Sequence, residues 1–110
     1  MTRMKPADEF ELHLRAAKVP PPEKEHRFHP KRRWRLDYAW PAERVAVEVH
    51  GGVHVQGRHT RGVGFVNDRE KANQAQLMGW TYLEVCPEQI RSGAALEWVE
   101  RALGLRKPKE

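Results

Sequence analysis

Trp34-Arg35-Leu36-Asp37-Tyr38-Ala39-Trp40-Pro41-Ala42-Glu43-Arg44-Val45-Ala46-Val47-Glu48-Val49 reads as two strands about a turn. In the first half Leu36, Tyr38 and Trp40 alternate onto one face, and in the second Val45, Val47 and Val49 do the same. Pro41-Ala42-Glu43-Arg44 between them is turn-forming. Matching the two apolar faces sets the register, because a slip of one residue would place valines against charges. Trp40 then pairs with Val45, Tyr38 falls beside Val47, Leu36 beside Val49, and Arg35 opposite His50. Asp37 comes to lie directly opposite Glu48. Like charges across a ladder repel. A divalent cation is the simplest compensation, and hard carboxylate oxygens suit Mg²⁺ or Mn²⁺. The alternative is that both carboxylates face solvent and pair with Arg35 or another arginine.

Upstream, residues 8–17 predict a first helix with Phe10, Leu14 and Ala17 on one face. Asp8 as N-cap and Glu11 three residues later form a capping box. Pro20-Pro21-Pro22 closes this unit, and 18–25 reads as a stiff connector. Downstream, the five glycines of 51–64 predict a loop or a strand with distorted ends, with a third strand through Val53 and Val55. Residues 68–78 predict a helix opened by an Asn67–Glu70 capping box and stopped by Gly79. A fourth strand over 80–85, a helical turn over 87–91 and a last helix over 94–103, stopped by Gly104, complete the chain. The order α-β-β-β-α-β-α is that of an α/β fold with a mixed sheet flanked by helices.

The chain has 110 residues with 20 Lys plus Arg against 15 Asp plus Glu, a formal charge of +5. That length predicts a single domain over 1–110: a helix and Pro-rich connector in 1–25, a core in 26–104, and a flexible basic tail in 105–110. A lone cysteine, Cys86, excludes an intrachain disulfide. Residues 1–6 lack the apolar stretch of a signal peptide, and no apolar run reaches a membrane span, so a cytoplasmic protein is expected. The cations are unevenly placed. Residues 26–35 carry Arg27, Lys31, Arg32, Arg33 and Arg35, and 49–66 carry Arg58, Arg61 and three histidines, both without an acid. These stretches bracket the paired carboxylates, where a polyanion would be held.

Asp37 followed by Glu48-Val49-His50 on a hairpin resembles the PD-(D/E)XK nuclease core, the restriction-endonuclease-like fold. Phe28-His29-Pro30, Trp34-Arg35-Leu36-Asp37-Tyr38-Ala39-Trp40-Pro41, Val47-Glu48-Val49-His50-Gly51-Gly52 and Gly79-Trp80 are similar to the very-short-patch repair endonuclease relatives and small phage nucleases of this fold. The first helix with Glu11, and the short length, resemble archaeal-type Holliday junction resolvases. The likeness spans about half to three-quarters of the chain and is consistent with a phage-encoded source. The family's motif ordinarily ends in Lys where this chain has His50. His50 could act there as base, metal ligand or hydrogen-bond donor, or the cationic role could pass to Lys71 or a loop arginine, so the base is open.

The resemblance implies a Mg²⁺-dependent endonuclease in which Asp37 and Glu48, with Glu11 as a third carboxylate, hold the metal. A metal-activated water would attack the phosphodiester, leaving 5′-phosphate and 3′-hydroxyl ends. His50 would orient the water, and Arg32, Arg33, Arg35, Arg58, His59, Arg61 and Lys71 would bind DNA. Glu11 has two open roles, helix cap or ligand. The favoured substrate is the four-way junction of DNA recombination, cut by a homodimer whose interface is the Leu36-Tyr38-Trp40 face or the Leu96-Trp98-Val99-Leu103 helix. The alternatives are a mismatch- or strand-nicking repair endonuclease acting as a monomer, and a DNA-binding module that does not cleave. A zinc site at His50, His54 and His59 lacks partner cysteines. Trp34, directly after Lys31-Arg32-Arg33, is the tryptophan best placed to stack on a base.

Overall fold

The computed structural model describes residues 4–50 and 62–105. Helix α1 (Pro6–Ala16) leads into three strands, β1 (Glu23–Arg27), β2 (Arg35–Trp40) and β3 (Val45–Val49). Helix α2 (Val63–Leu77) then precedes β4 (Thr81–Val85), α3 (Pro87–Arg91) and α4 (Ala94–Ala102). The sheet order is β1-β2-β3-β4, antiparallel through β3, with β4 parallel to β3. The predicted α/β class and mixed sheet are present. No helix among the described residues is long and apolar enough to cross a membrane.

Each sheet face has its own core. Phe10 and Leu14 of α1, Ile90 of α3 and Val99 of α4 pack on Tyr38, Trp40, Val45, Val47 and Val85. On the opposite face Ala75 of α2 packs with Phe28, Leu36, Ala39, Ala46 and Trp80. The sheet is thus the middle of three layers. Small residues carry the α2 contact, since Ala72 and Ala75 are its buried positions.

The hairpin register is as the valines dictate: Trp40 pairs with Val45, Ala39 with Ala46 and Tyr38 with Val47. Leu36, however, does not share a face with Tyr38 and Trp40. It is buried in the α2-side core, and they are buried in the other. The alternation of β2 slips between Leu36 and Tyr38, at Asp37. The apolar face proposed as a dimer interface is therefore split between two cores of the same chain. Val99 of α4 is likewise fully buried, with Leu96, Trp98 and Leu103 packed partly against it.

Three sequence expectations fail for local reasons. β1 lies across the expected connector and its boundary at 25/26. Among the described residues it is an edge strand, mostly of charged residues and bonded only to β2, so it needs no apolar alternation. The helix α1 starts at Pro6 rather than after Asp8, because proline preset for the first helical position opens it and Lys5 occupies the cap without a side-chain bond. The Asn67–Glu70 capping box is absent too, since α2 begins five residues earlier, at Val63 with Gly62 at the cap. The third strand through Val53 and Val55 lies outside the described residues.

Helix ends follow the chain more simply. Gly79 has φ of 90° and follows the cap Met78. Its amide bonds to Gln76 O, and that of Trp80 to Ala75 O, both at 3.0 Å, which turns the chain into β4.

Candidate active site

The β2–β3 ladder stops after Tyr38–Val47, and side chains take over from backbone carbonyls. The amide of Asp37 donates to Glu48 Oε2 at 2.6 Å, and the amide of Val49 donates to Asp37 Oδ2 at 2.8 Å. Across β1 the irregularity is mirrored. Pairs form on either side of Glu25, but Glu25 itself, facing Asp37, takes φ of 54°. That region is uncommon for a residue with a Cβ. The two carboxylates predicted to oppose each other are thus held by amides of the facing strands.

Glu48 is only 7% exposed and points toward α2. There Lys71 Nζ donates to its Oε1. Burial pushes the Glu48 carboxyl above its ordinary value, while the bonds from Lys71 and the Asp37 amide pull the other way. Lys71 reaches it because Asn67, Lys71 and Ala75 recur every four residues on α2, and Ala75 is fully buried against the sheet. No three His, Cys, Asp or Glu side chains among the described residues gather closely enough to hold a metal by themselves.

The parallel register sets Glu84 beside Glu48. His50 Nε2 lies 2.8 Å from Glu84 Oε1, and Arg69 Nη2 lies 3.8 Å from it. The amide of His50 donates to Val85 O at 2.8 Å, so His50 follows β4, and the expected pairing with Arg35 does not form. Burial, followed by the charges of Glu48 and Glu84, pushes the Tyr82 hydroxyl far above its ordinary range and keeps it protonated.

Glu11 is engaged elsewhere. It accepts the Tyr38 hydroxyl at 2.6 Å and lies 3.4 Å from Lys24 Nζ. The Tyr38 bond, foremost, holds its carboxyl below the usual range. It acts neither as the expected cap nor beside Asp37 and Glu48 in a three-ligand group.

The remaining candidates divide. Arg33 and Arg35 are exposed, with Arg35 at 3.9 Å from Glu25 rather than on the paired carboxylates. Arg32 lies on Trp34 and bonds to Asn67. The Arg32 guanidinium lies over the Trp34 ring, and Phe28 runs near-parallel to it at 13° with ring centroids 6.2 Å apart. His54, Arg58, His59 and Arg61 lie outside the described residues.

Sequence reading missed Glu84, Arg69, Tyr82 and Asn67, and it placed Lys71 on DNA without its bond to Glu48. Glu84 and Tyr82 carry a signal only once β4 is known to run parallel to β3. The Asn67-Lys71-Ala75 spacing is legible in the sequence, but its target is not. Comparison with known proteins finds no matching family model, no matching curated protein and no matching solved structure.

Proposed function

We propose that the protein is a metal-dependent endodeoxyribonuclease with a restriction-endonuclease-like core, working through Asp37, Glu48 and Lys71. The observation that carries this reading is the interlocked pair of carboxylates at the break in the β2–β3 ladder, with an ammonium group on one of them. Such a break would be a defect in a purely structural sheet, since it replaces backbone pairing with buried charge.

The donor set fits Mg²⁺ or Mn²⁺. Mg²⁺ uses one or two protein carboxylates and completes its octahedron with water and phosphate oxygens. Asp37 and Glu48 supply two carboxylates, and among the described residues no hydrogen bond reaches Asp37 Oδ1. When bound, the ion polarises a phosphoryl oxygen and lowers the pKa of a water. The side chains do the rest. The Val49 and Asp37 amides fix where the carboxylate oxygens lie, which keeps the donors preorganised. In this reading Lys71, bonded to Glu48, supplies the cation the motif lacks: its ammonium offsets charge on the phosphate and offers further N–H donors to the attacking water. His50 occupies the motif's lysine position along the chain, with its Nε2 2.8 Å from Glu84 Oε1, so this reading gives the cationic role to Lys71.

Strand nicking of duplex DNA is favoured over four-way junction resolution. Glu11, the resolvase-like third carboxylate, is taken by Tyr38 and Lys24, the Leu36-Tyr38-Trp40 face is buried in the chain's own cores, and on α4 Val99 is buried while Leu96, Trp98 and Leu103 stay partly exposed. The test is cleavage of labelled duplex, mismatched, forked, flapped and four-way DNA with Mg²⁺ or Mn²⁺. Wild type is expected to nick one strand, with Asp37→Asn and Glu48→Gln losing at least about 10²-fold in rate while still binding DNA. Preferential paired cuts in the junction would restore the resolvase reading. Binding without cleavage of any substrate would leave a DNA-binding module.

A further inference from the structure

The segment between β1 and β2 docks on α2 through one side-chain oxygen. Asn67 Oδ1 accepts Arg32 Nη2 at 2.9 Å and Trp34 Nε1 at 3.2 Å. The Arg32 guanidinium carbon lies 3.9 Å from the Trp34 ring centroid. Its backbone is fixed as well, because His29 Nδ1 accepts the amides of Lys31 at 3.1 Å and Arg32 at 2.9 Å. Arg32 is nonetheless exposed. An exposed arginine ordinarily keeps its rotamer freedom, and here face, edge and backbone are all held.

Among the described residues no carboxylate takes up the charge. Among the described residues Arg32 forms no ion pair, although Glu70 lines the same cavities. Open space lies on both sides of the side chain. A cavity of about 360 Å³ extends past His29 and Trp34, and one of about 590 Å³ past Gly62 and Gly64. A cation immobilised without a counter-ion and bordered by open volume is arranged for an anion that arrives from solution.

We propose that Arg32 is a preset phosphate clamp on the nicked DNA strand, positioning it for Asp37, Glu48 and Lys71. This deepens the nuclease reading and rests on it for the identity of the strand. Asn67, which holds Arg32, and Lys71, which holds Glu48, lie one turn apart on the same face of α2. That separation is about 6 Å along the helix axis. A DNA strand rises about 3.4 Å per nucleotide. On that scale Arg32 engages a phosphate within a few nucleotides of the one cut. Trp34 is a positioning residue here, setting the guanidinium plane rather than touching a base.

The test is a methylphosphonate scan. Duplexes with one neutralised phosphate at each position around the mapped nick are bound to wild type, Arg32→Gln and Arg32→Lys, by anisotropy across a salt series. Arg32→Gln is expected to weaken binding about tenfold and to flatten the slope of log K against log salt by about 0.9. A methylphosphonate at one position near the nick weakens wild type but not Arg32→Gln. Arg32→Lys keeps the slope and loses affinity, because a point charge cannot use the Trp34 and Asn67 supports. Circular dichroism melts of the variants should match wild type. An unchanged slope in Arg32→Gln, or no position whose effect vanishes in it, overturns the clamp even if wild type nicks DNA. Conversely, an Arg32-dependent slope in a wild type that cuts nothing upholds the clamp as a DNA contact and overturns the nuclease. Failure of wild type to bind DNA overturns both.

Discussion

Replacing Lys71 with Met should destabilise the fold far more than replacing its partner Glu48 with Gln. The side chains of Lys71 and Glu48 are 14% and 9% exposed. Removing the ammonium leaves a buried carboxylate with only neutral donors, the Asp37 amide and the Tyr82 hydroxyl. Breaking a buried pair from one side costs about 3–5 kcal/mol. Glu48→Gln is not the mirror image. The Gln oxygen still accepts from Asp37, and the Lys71 ammonium can swing on its flexible stem toward water, so the expected cost is at most about 1.5 kcal/mol. The double variant strands no charge and should lie within about 1 kcal/mol of Glu48→Gln. The pH dependence has a definite sign. Burial raises the Glu48 carboxyl, and Lys71 restrains that rise, so Lys71→Met raises it further. A carboxyl raised in the folded state contributes stability below its unfolded pKa of about 4.3 and loses it as pH climbs through the folded value. The Lys71→Met penalty should therefore be small at about pH 4 and grow toward about pH 7. Urea unfolding followed by tryptophan fluorescence across that range measures it. A penalty under about 1 kcal/mol at neutral pH, or one that does not grow with pH, would refute a charged Glu48 held on Lys71.

Two further outcomes follow from the same geometry. Saturating Mg²⁺ should raise the melting temperature of wild type, by up to about 2.7 kcal/mol of stabilisation at a hundred times Kd, and should leave Asp37→Asn nearly unmoved; an equal rise in the variant removes Asp37 from the ligand set. Tyr38→Phe deletes the donor 2.6 Å from Glu11 and should cost about 1–2 kcal/mol. Because that bond foremost depresses Glu11, stability present above its unfolded pKa and lost on acidification shrinks, and NMR titration should find the Glu11 midpoint raised.

The parts of the fold legible in the sequence are those where one residue's environment decides its identity. Val45, Val47 and Val49 alternate because one face of β3 meets a core, and this fixed their register with Tyr38 and Trp40. Gly79 and Gly104, at φ of 90° and 75°, end helices where L side chains are disfavoured. β1 was illegible because an edge strand with four exposed positions of five carries no apolar period. For the site, Asp37 and Glu48 were legible from the hairpin alone. The bond from Lys71 depends on how α2 lies across the sheet, and Glu84 on a parallel pairing that joins segments separated by a whole helix. Neither relation is local, so no pattern of neighbours encodes it.

The slip of β2 at Asp37 both misled the face assignment of Leu36 and makes the site. A regular ladder would have bonded the Asp37 and Val49 amides to carbonyls; here carboxylates accept them. Each carboxylate is therefore pinned by the strand facing it, and Asp37 takes part twice, through its amide and through Oδ2. That double role dictates how the residue must be tested. Asp37→Asn keeps an oxygen for the Val49 amide and removes only the charge, so its effect on cleavage is chemical. Asp37→Ala leaves the Val49 amide without its acceptor, which for a buried group costs about 1–3 kcal/mol. It also loosens the hold on Glu48 by disturbing the strand that donates to it. If Asp37 served only the backbone, Asn would restore both stability and cleavage. Stability kept by Asn with cleavage still lost separates a carboxylate that holds the sheet from one that also carries the reaction.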